Sequence, residues 1–393
     1  MTSRVRVIFT LAALSALGPL SIDMYLPAFP ELQRDLHASP ASLSATLATF
    51  FVGLCLGQLI YGPWSDRSGR KKPLIFGLVV YIAASVGCTM VGDVETLIVL
   101  RFFQALGSCS GMVIGRALVR DLFEPRETAR IFSLIILSMG LAPVLAPLMG
   151  NYLTSHLGWR AIFWSTAAFA GLALFAVLGV VENQRGSAVG GLSLRAVKSI
   201  MTHREFLGFA LSGTFIQAGF FAYLTGSPHF YVDQLGYTPH QFSLMFGGNA
   251  LGLIAMSQLN SHLLRQQGYR PVLQKTLYVA LASGLLFMVA SLLWPQFAVA
   301  PLFVFVATLG LIFPNSTAGA LADQKEHTGT ASAILGTIQY GGAALAAAAV
   351  GALSGLTVYA LQWIVLGCAV LAVGTFLKLL AFSPVGLAEA HCA

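Results

Sequence analysis

The chain has 393 residues, of which 22 are Lys or Arg and 15 are Asp or Glu, so only 9% are charged, against about 25% in an ordinary soluble protein. Apolar residues make up 56% of the chain, and 40 glycines add to them. So few charges cannot cover a soluble protein of this size, and intrinsic disorder requires the opposite composition, which leaves an all-α membrane protein with many spans.

Twelve apolar runs are long enough to form membrane-spanning helices, because a hydrocarbon core of about 30 Å takes about 20 helical residues. Charges, prolines and glycines between the runs set their boundaries. The predicted spans are 5–29, 42–62, 73–91, 96–117, 130–153, 161–181, 206–227, 240–262, 272–293, 298–319, 329–353 and 358–381.

The basic residues fall in short groups between these runs rather than in one patch, so they indicate topology and not a nucleic-acid partner. With twelve spans, 18 of the 22 Lys and Arg residues lie on the side of the termini. Only Arg34 and Arg160 lie in the opposite loops, and Arg101 and Arg116 lie within the fourth span. We therefore expect both termini in the cytoplasm.

The longest polar interval separates six spans from six. We predict an N-terminal bundle over 1–181, a central cytoplasmic loop over 182–205 and a C-terminal bundle over 206–393. Two such pseudo-symmetric halves are typical of secondary transporters, with the substrate site near the midplane between them. The sequence has no G-x-x-x-x-G-K-[ST] loop, no metal-ligand spacing and no catalytic constellation. We therefore expect no enzyme, no cofactor and no metal, and active transport has to draw on an ion gradient.

The first span contains the only carboxylate inside an apolar run, Asp23. It lies seven residues before the expected exit at Pro30, which places it about 10 Å below the outer surface. Desolvation favours a neutral carboxyl group and a nearby guanidinium favours the ionised form. Such opposed effects suit a group that loads and releases a proton. The alternative is an interfacial acid beside the helix break at Pro27.

The loop after the second span reads GPWSDRSGRKK over residues 62–72 and carries one acid among four bases. It resembles the cytoplasmic signature of the major facilitator superfamily, G-x-x-x-D-R-x-G-R-[RK]. The resemblance implies a two-bundle fold in which Asp66 helps to latch the cytoplasmic side, with a nearby arginine and the eleventh helix; Arg120 is the expected partner. The alternative is a positive-inside anchor. The predicted latch residues are Gly62, Asp66, Arg67, Gly69, Arg70 and Arg120.

The fourth span contains Arg101 in the pattern L-x-x-x-R-x-x-Q-x-x-G, which starts at Leu97. An intramembrane arginine costs at least about 2.5–3.5 kcal/mol and therefore faces the bundle interior or water. Its depth of about 7 Å is close to that of Asp23, so we predict that the two residues form a proton-coupling pair. The pattern resembles the fourth-helix motif of proton-driven drug exporters. The alternative is an arginine that snorkels to the interface.

The fifth span carries two prolines four residues apart among small residues: Gly140, Pro143, Pro147 and Gly150. The run resembles the antiporter motif G-x-x-x-G-P-x-x-G-G, although alanines occupy glycine positions and Asn151 replaces the last glycine. The doubled Ala-Pro, the DMYLP of span one and the W-R-x-x-F that starts at Trp159 resemble the bicyclomycin/chloramphenicol-resistance (Bcr/CflA) subfamily, which implies drug:proton antiport.

The C-terminal half has no charge well inside a span, and its repeat of the first signature keeps Arg265, Gly268 and Arg270 but lacks the acid. Amides and aromatic rings suit a neutral or amphipathic guest, although helix packing is the alternative for each residue. The predicted substrate-binding residues are Tyr25, Gln104, Gln217, Phe220, Phe221, Tyr223, Asn249, Gln339 and Tyr340.

Together these features predict a monomeric transporter that exports small neutral or amphipathic drugs from a bacterial cytoplasm across the inner membrane, in exchange for protons. Asp23 is expected to load the proton with Arg101 as its electrostatic partner, and substrate and proton to occupy a cavity between the halves in turn. A proton-coupled metabolite transporter on the same fold is the main alternative. A membrane receptor without transport is a second, and a channel is disfavoured because no ring of charges is present.

Overall fold

The computed structural model describes residues 2–123, 142–180, 194–324 and 328–381, and these residues are helical with short connections. The helices are α1 (Thr2–Asp23), α2 (Phe29–Asp35), α3 (Pro40–Ser68), α4 (Lys71–Thr89), α5 (Val94–Leu122), α6 (142–157), α7 (Arg160–Val180), α8 (Leu194–Thr202), α9 (Arg204–Pro228), α10 (Pro239–Gln267), α11 (Tyr269–Leu293), α12 (Val299–Leu321), α13 (Thr328–Ser354) and α14 (Ala360–Phe376). Short 3₁₀ turns cover Leu26–Ala28 and Pro295–Phe297, and π-helical turns cover His229–Gln234 and Leu377–Ala381.

Within the described residues, eleven helical stretches are long and apolar enough to cross a membrane. They correspond to eleven of the twelve predicted spans. In the predicted fifth span, 142–157 is helical, whereas 130–141 lies outside the described residues. The all-α membrane prediction is therefore confirmed.

The first span is not the single helix over 5–29 that the sequence predicts. Helix α1 ends at Asp23, a 3₁₀ turn follows at Leu26–Ala28, and α2 continues the stretch to Asp35. Pro27 and Pro30 lie near the first positions of the 3₁₀ turn and of α2, where a missing N–H leaves no helical hydrogen bond unmade. The break therefore comes directly after the buried acid.

Two other boundaries differ because polar residues prolong helices beyond the apolar run. Asp66 and Arg67 lie in the last turn of α3, not in a loop, and the chain turns only at Gly69. The predicted central loop 182–205 contains helix α8, whose apolar Val197 and Ile200 are three residues apart. Helix α8 packs against α9 and α13 and leaves Lys198 exposed, so a short amphipathic helix escaped the search for long apolar runs.

The contacts divide the chain into two compact units, Met1–Gly191 with Tyr231–Gly247, and Leu192–Phe230 with Gly248–Ala393. In the first unit, α5 packs against α1, α3 and α4, and α7 packs against α1 and α4. In the second unit, α9 packs against α12, α13 and α14, and α11 packs against α12 and α14. The first unit therefore surrounds α5, the helix that carries Arg101.

Candidate coupling site

Asp23 is the last residue of α1 and is only 4% exposed. Among the residues that the structure describes, nothing donates a hydrogen bond to its carboxyl group and no cation lies within 4.0 Å of it. Helix α6 approaches the chain here, because a Cβ at Gly150 would overlap the carbonyl oxygen of Met24. The acid is therefore buried beside a close contact between α6 and Met24, and none of the described residues pairs with it.

Arg101 lies on α5 and has no solvent exposure. Its Nη1 donates to Oε1 of Gln104 at 2.6 Å, and Nε2 of Gln104 donates to the hydroxyl of Ser85 on α4 at 2.8 Å. Nε and Nη2 of Arg101 are buried and have no hydrogen-bond partner among the described residues. The amide of Gln104 thus fixes Nη1 of the guanidinium, whereas the edge formed by Nε and Nη2 can still donate hydrogen bonds to an oxygen ligand.

Three aromatic rings enclose the guanidinium of Arg101. The distances from Cζ to the ring centroids are 4.3 Å for Phe50, 4.5 Å for Tyr25 and 6.0 Å for Phe163. Such cation–π contacts contribute about 2 kcal/mol or more when desolvated. The hydroxyl of Tyr25 is fixed in turn by Thr46 at 3.0 Å. Neutral groups from four helices therefore hold the charge.

The structure buries both predicted coupling residues in one unit but does not pair them. Their charged groups are not within ion-pair distance in this part of the chain, and Arg101 is held by Gln104 and the three rings instead. Two predicted substrate-binding residues, Tyr25 and Gln104, serve as contacts of Arg101. Proton coupling by Asp23 and Arg101 stays a prediction.

The turn between α3 and α4 is organised by Arg70. Its guanidinium forms ion pairs with Asp66 and with Asp121, the latter at 2.8 Å, and donates to the hydroxyl of Ser65 at 2.8 Å. Burial alone would lower the pKa of Arg70, but the hydrogen bonds and charges of Asp121 and Asp66 outweigh it and raise that pKa.

The other predicted latch residues surround this cluster in different ways. Gly69 has φ +84°, which favours glycine, Gly62 has open space beside it, and Arg67 is exposed. The side chain of Arg120, the expected partner of Asp66, lies outside the described residues. Arg70 is the partner that the structure shows, and Asp121 is a member that sequence reasoning missed although it adjoins Arg120.

The antiporter-motif helix α6 buries one face. Pro147, Ala142, Ala146 and Gly150 are buried, whereas Pro143 is partly exposed. Gly140 lies outside the described residues. Gly150 has a definite packing role, because it admits the backbone of Met24 next to Asp23.

The predicted substrate-binding residues of the C-terminal half lie in the second unit, where most of them are in contact. Nδ2 of Asn249 donates to the hydroxyl of Tyr223 at 2.8 Å. Phe220 packs on Tyr223 with ring centroids 6.0 Å apart, and Phe221 lies 6.2 Å from Tyr340.

Two predicted glutamines complete this set. Oε1 of Gln217 is buried and no described residue donates a hydrogen bond to it, and Gln339 is buried. Substrate contact stays a prediction for all of these residues.

The incomplete repeat of the signature in the second half has a structural counterpart. Gly69 and Gly268 both have positive φ, +84° and +75°. Two residues later, Lys71 donates to the carbonyl of Leu178 near the end of α7, and Arg270 donates to the carbonyl of Leu380 after α14.

In the second unit, two further residues join this cap. Arg270 lies 3.5 Å from Glu205, and Arg204 donates to the carbonyls of Lys378 and Leu379. A base two residues after a turn glycine is the sequence signal that identifies this cap in both units.

These apolar helices with their buried charges define a multi-pass α-helical membrane protein of the transporter class. A family model described as Major Facilitator Superfamily matches residues 11–347. The chain therefore belongs to the Major Facilitator Superfamily, as the signature at 62–72 predicts.

Comparison with individual proteins agrees with this assignment. The chain is 33% identical to an uncharacterized MFS-type transporter, YdgK, of Bacillus subtilis over 85% of this chain and 86% of that one. It is 31% identical to a bicyclomycin resistance protein homolog of Haemophilus influenzae, over 90% and 89%. It is 29% identical to a chloramphenicol resistance protein of Pseudomonas aeruginosa, over 83% and 79%.

Among solved structures, a D-xylose-proton symporter has the same fold, with a TM-score of 0.79, 16% identity and coverage of 97% of this chain and 98% of that chain. At this identity the likeness concerns the fold alone. The predicted major facilitator fold is confirmed.

Proposed function

We propose that this chain exports small neutral or amphipathic drugs, antibiotics among them, across the bacterial inner membrane in exchange for protons. Two relatives that match most of the chain are named for resistance to bicyclomycin and to chloramphenicol. The doubled Ala-Pro of α6 and the W-R-x-x-F at the start of α7 support the Bcr/CflA subfamily within the superfamily.

The observation that carries proton coupling is the buried carboxyl group of Asp23, which has no hydrogen-bond partner and no neighbouring cation among the described residues. An ionised carboxylate without a partner is costly to bury, whereas a carboxylic acid is much less so. This arrangement suits a protonated Asp23. We propose that release of the proton follows a rearrangement that gives the carboxylate water or a partner.

Arg101 supports the same proposal for the state in which Asp23 has released its proton. Its Nε and Nη2 are buried and have no partner in the part of the chain that the structure describes, and a guanidinium edge of this kind matches a carboxylate. We propose that the ionised Asp23 uses this edge after it has lost its proton. One elementary charge that crosses the membrane yields about 2.3 kcal/mol per 100 mV, which sets the energy available per proton.

The groups proposed to bind substrate in the second unit are neutral. Tyr223, Asn249, Gln217 and Tyr340 offer aromatic faces and amide hydrogen bonds and no formal charge. Such groups suit neutral or amphipathic compounds and give no compensation for a fixed charge. We propose that substrates contact this cluster and that no bound cofactor takes part.

The bias of basic residues supports both termini in the cytoplasm of a bacterium, with the Arg70 turn on the cytoplasmic side and Trp159 on the outer side. We propose that the chain acts as a monomer in the inner membrane and that it catalyses no chemical conversion of its substrate.

Purified protein in proteoliposomes with an imposed pH gradient tests the proposal, with bicyclomycin and chloramphenicol as first substrates. Asp23→Asn should abolish proton-driven accumulation while drug binding persists. Glu95→Gln, which removes an exposed acid at the start of α5, is the matched control and should transport normally. Full proton-driven transport by Asp23→Asn would exclude Asp23 as the coupling residue.

Sensitivity assays in a pump-deleted host extend the test to a wider panel of antibiotics. Expression should lower sensitivity to several neutral compounds. Unchanged sensitivity to every compound, together with proton flux induced by a metabolite, would replace the drug exporter with the metabolite transporter.

A further inference from the structure

Trp159 lies in the turn between α6 and α7, and Arg160 is the first residue of α7. The proposed coupling of Asp23 with Arg101 gives neither residue a role. Trp159 is 1% exposed, and its indole Nε1 donates to Oδ2 of Asp35 at 3.0 Å. Asp35 is the last residue of α2, which continues the first span. The indole thus joins the α6–α7 connection to the end of the first span.

Arg160 joins the same connection to the end of α4. Its Nε and Nη2 donate to the carbonyls of Thr89 and Val91, both at 3.2 Å. Its Nη1 lies 3.6 Å from Oδ2 of Asp35, and its guanidinium lies 4.2 Å from the ring of Trp159. We call Asp35, Thr89, Val91, Trp159 and Arg160 the outer clamp.

The three helical stretches that meet at the outer clamp also supply contacts around Arg101, in addition to Phe50 of α3 and Gln104 of α5. The first span gives Tyr25, α4 gives Ser85 through Gln104, and α7 gives Phe163.

Ring contacts connect the clamp with this enclosure directly. The centroid of Trp159 lies 6.0 Å from that of Phe163, and Phe163 lies 5.8 Å from Tyr25. Phe163 and Tyr25 also contact Arg101, so two rings connect the clamp with the guanidinium.

We propose that Trp159 and Arg160 are positioning residues, which hold the first span, α4 and α7 together so that water does not reach Arg101 from this end of the unit. The inference deepens the proposed function, because a coupling site open to this end would lose its control over when the proton enters. The packing part of the proposal requires no particular substrate.

The native Cys88 offers a probe of the enclosure. It has no solvent exposure, and it lies on α4 between Ser85, which holds Gln104, and Thr89 of the clamp. Cys109 is equally buried but lies eight residues beyond Arg101 on α5, about 12 Å further along the helix. Opening at the clamp should expose Cys88, whereas general loosening should expose both thiols.

The experiment measures the rate of N-ethylmaleimide labelling in native membranes, in two backgrounds that retain either Cys88 or Cys109 with the other four cysteines changed to serine. Trp159→Phe removes the indole donor, and Asp35→Ala removes its acceptor. Loss of this partly buried hydrogen bond corresponds to about a tenfold rise in the labelling rate of Cys88. The rate at Cys109 should stay unchanged.

Asp35→Asn separates the hydrogen bond from the charge of the side chain, because the amide has the same size and its oxygen still accepts from the indole. It should label close to the wild-type rate at Cys88, and this rescue is not expected if Asp35 acts only through its charge on Arg160. Equal increases at both cysteines, or no increase at Cys88, would overturn the proposal. A wrong drug assignment would leave the labelling result unchanged, because labelling uses no substrate.

Discussion

Ser85 is the residue whose loss tests most directly how Arg101 is held. Its hydroxyl accepts from Nε2 of Gln104 at 2.8 Å, and Gln104 makes the one hydrogen bond found for Arg101 in the described structure. Ser85→Ala leaves the amide donor of Gln104 buried and unpaired. Such a group costs about 1–3 kcal/mol of unfolding free energy.

Gln104→Leu should cost more, because it removes the hydrogen bond to a buried charge, and bonds of that kind contribute about 1.5–3 kcal/mol even before the charge is left unpaired. Ser108→Ala is the matched control. Ser108 is also buried on α5, but among the described residues its hydroxyl donates only to the carbonyl of Ala105 in its own helix. Its loss should therefore change stability by less than about 0.5 kcal/mol.

The assay is equilibrium unfolding of purified protein in mixed micelles with a rising fraction of sodium dodecyl sulfate, followed by circular dichroism. The expected order of destabilisation is Gln104→Leu, then Ser85→Ala, then Ser108→Ala. Equal stability of Ser85→Ala and Ser108→Ala would show that the bond between Ser85 and Gln104 does not support the site, and the reasoning on Arg101 would fail with it.

Three further predictions use the same unfolding assay. Gly150→Ala should unfold at lower detergent fractions and lose transport, because a Cβ would overlap the Met24 carbonyl. Gly171→Ala has open space and should be neutral or more stable. Equal effects of the two substitutions would contradict the close approach of α6 to Met24. Asp93 accepts from the backbone N–H and the hydroxyl of Thr96, and these bonds lower its pKa. The contribution of Asp93 to the unfolding free energy is present above about pH 4, the ordinary range of Asp, and is lost as the pH falls through the lowered pKa. The difference in stability between wild type and Asp93→Ala should therefore close in acid, and a difference that does not change with pH would refute the role of Asp93 as a helix cap. Arg270→Gln should cost about 1.5–3 kcal/mol because it uncaps Leu380, whereas Arg265→Gln, at an exposed position, should be silent.

The sequence predicted the spans and the burial of Asp23 and Arg101, because scarcity of charge and helical length are properties of a single stretch. It did not predict the enclosure of Arg101. Phe50 and Phe163 come from separate helices and differ in no local way from other phenylalanines. The pairing of Asp23 with Arg101 was expected from their similar depth in the membrane alone. Depth does not specify whether the side chains of two different helices point towards each other.

The turn at 62–72 shows a second limit of the same kind. The spacing of Asp66, Arg67 and Gly69 predicted a cytoplasmic turn, but helix α3 continues through Asp66, because polar residues beyond the hydrocarbon region do not end a helix. The ion pair of Arg70 with Asp121 depends on how α5 packs beside the turn. A pattern within one segment carries no information about that neighbour.

The turns at Gly69 and Gly268 share a structural feature, and only the first of them carries an additional functional residue. Each is followed two residues later by a base: Lys71 donates to a carbonyl near the end of α7, and Arg270 donates to a carbonyl just after α14. Only the first turn adds an acid in the place of Asp66. The same substitution at Gly69 and Gly268, or at Lys71 and Arg270, therefore measures the effect of the turn on stability separately in each unit. A substitution at Asp66 has no counterpart in the second unit. Any effect on transport beyond the stability effect of the shared positions therefore measures a function that only the first half of the transporter has.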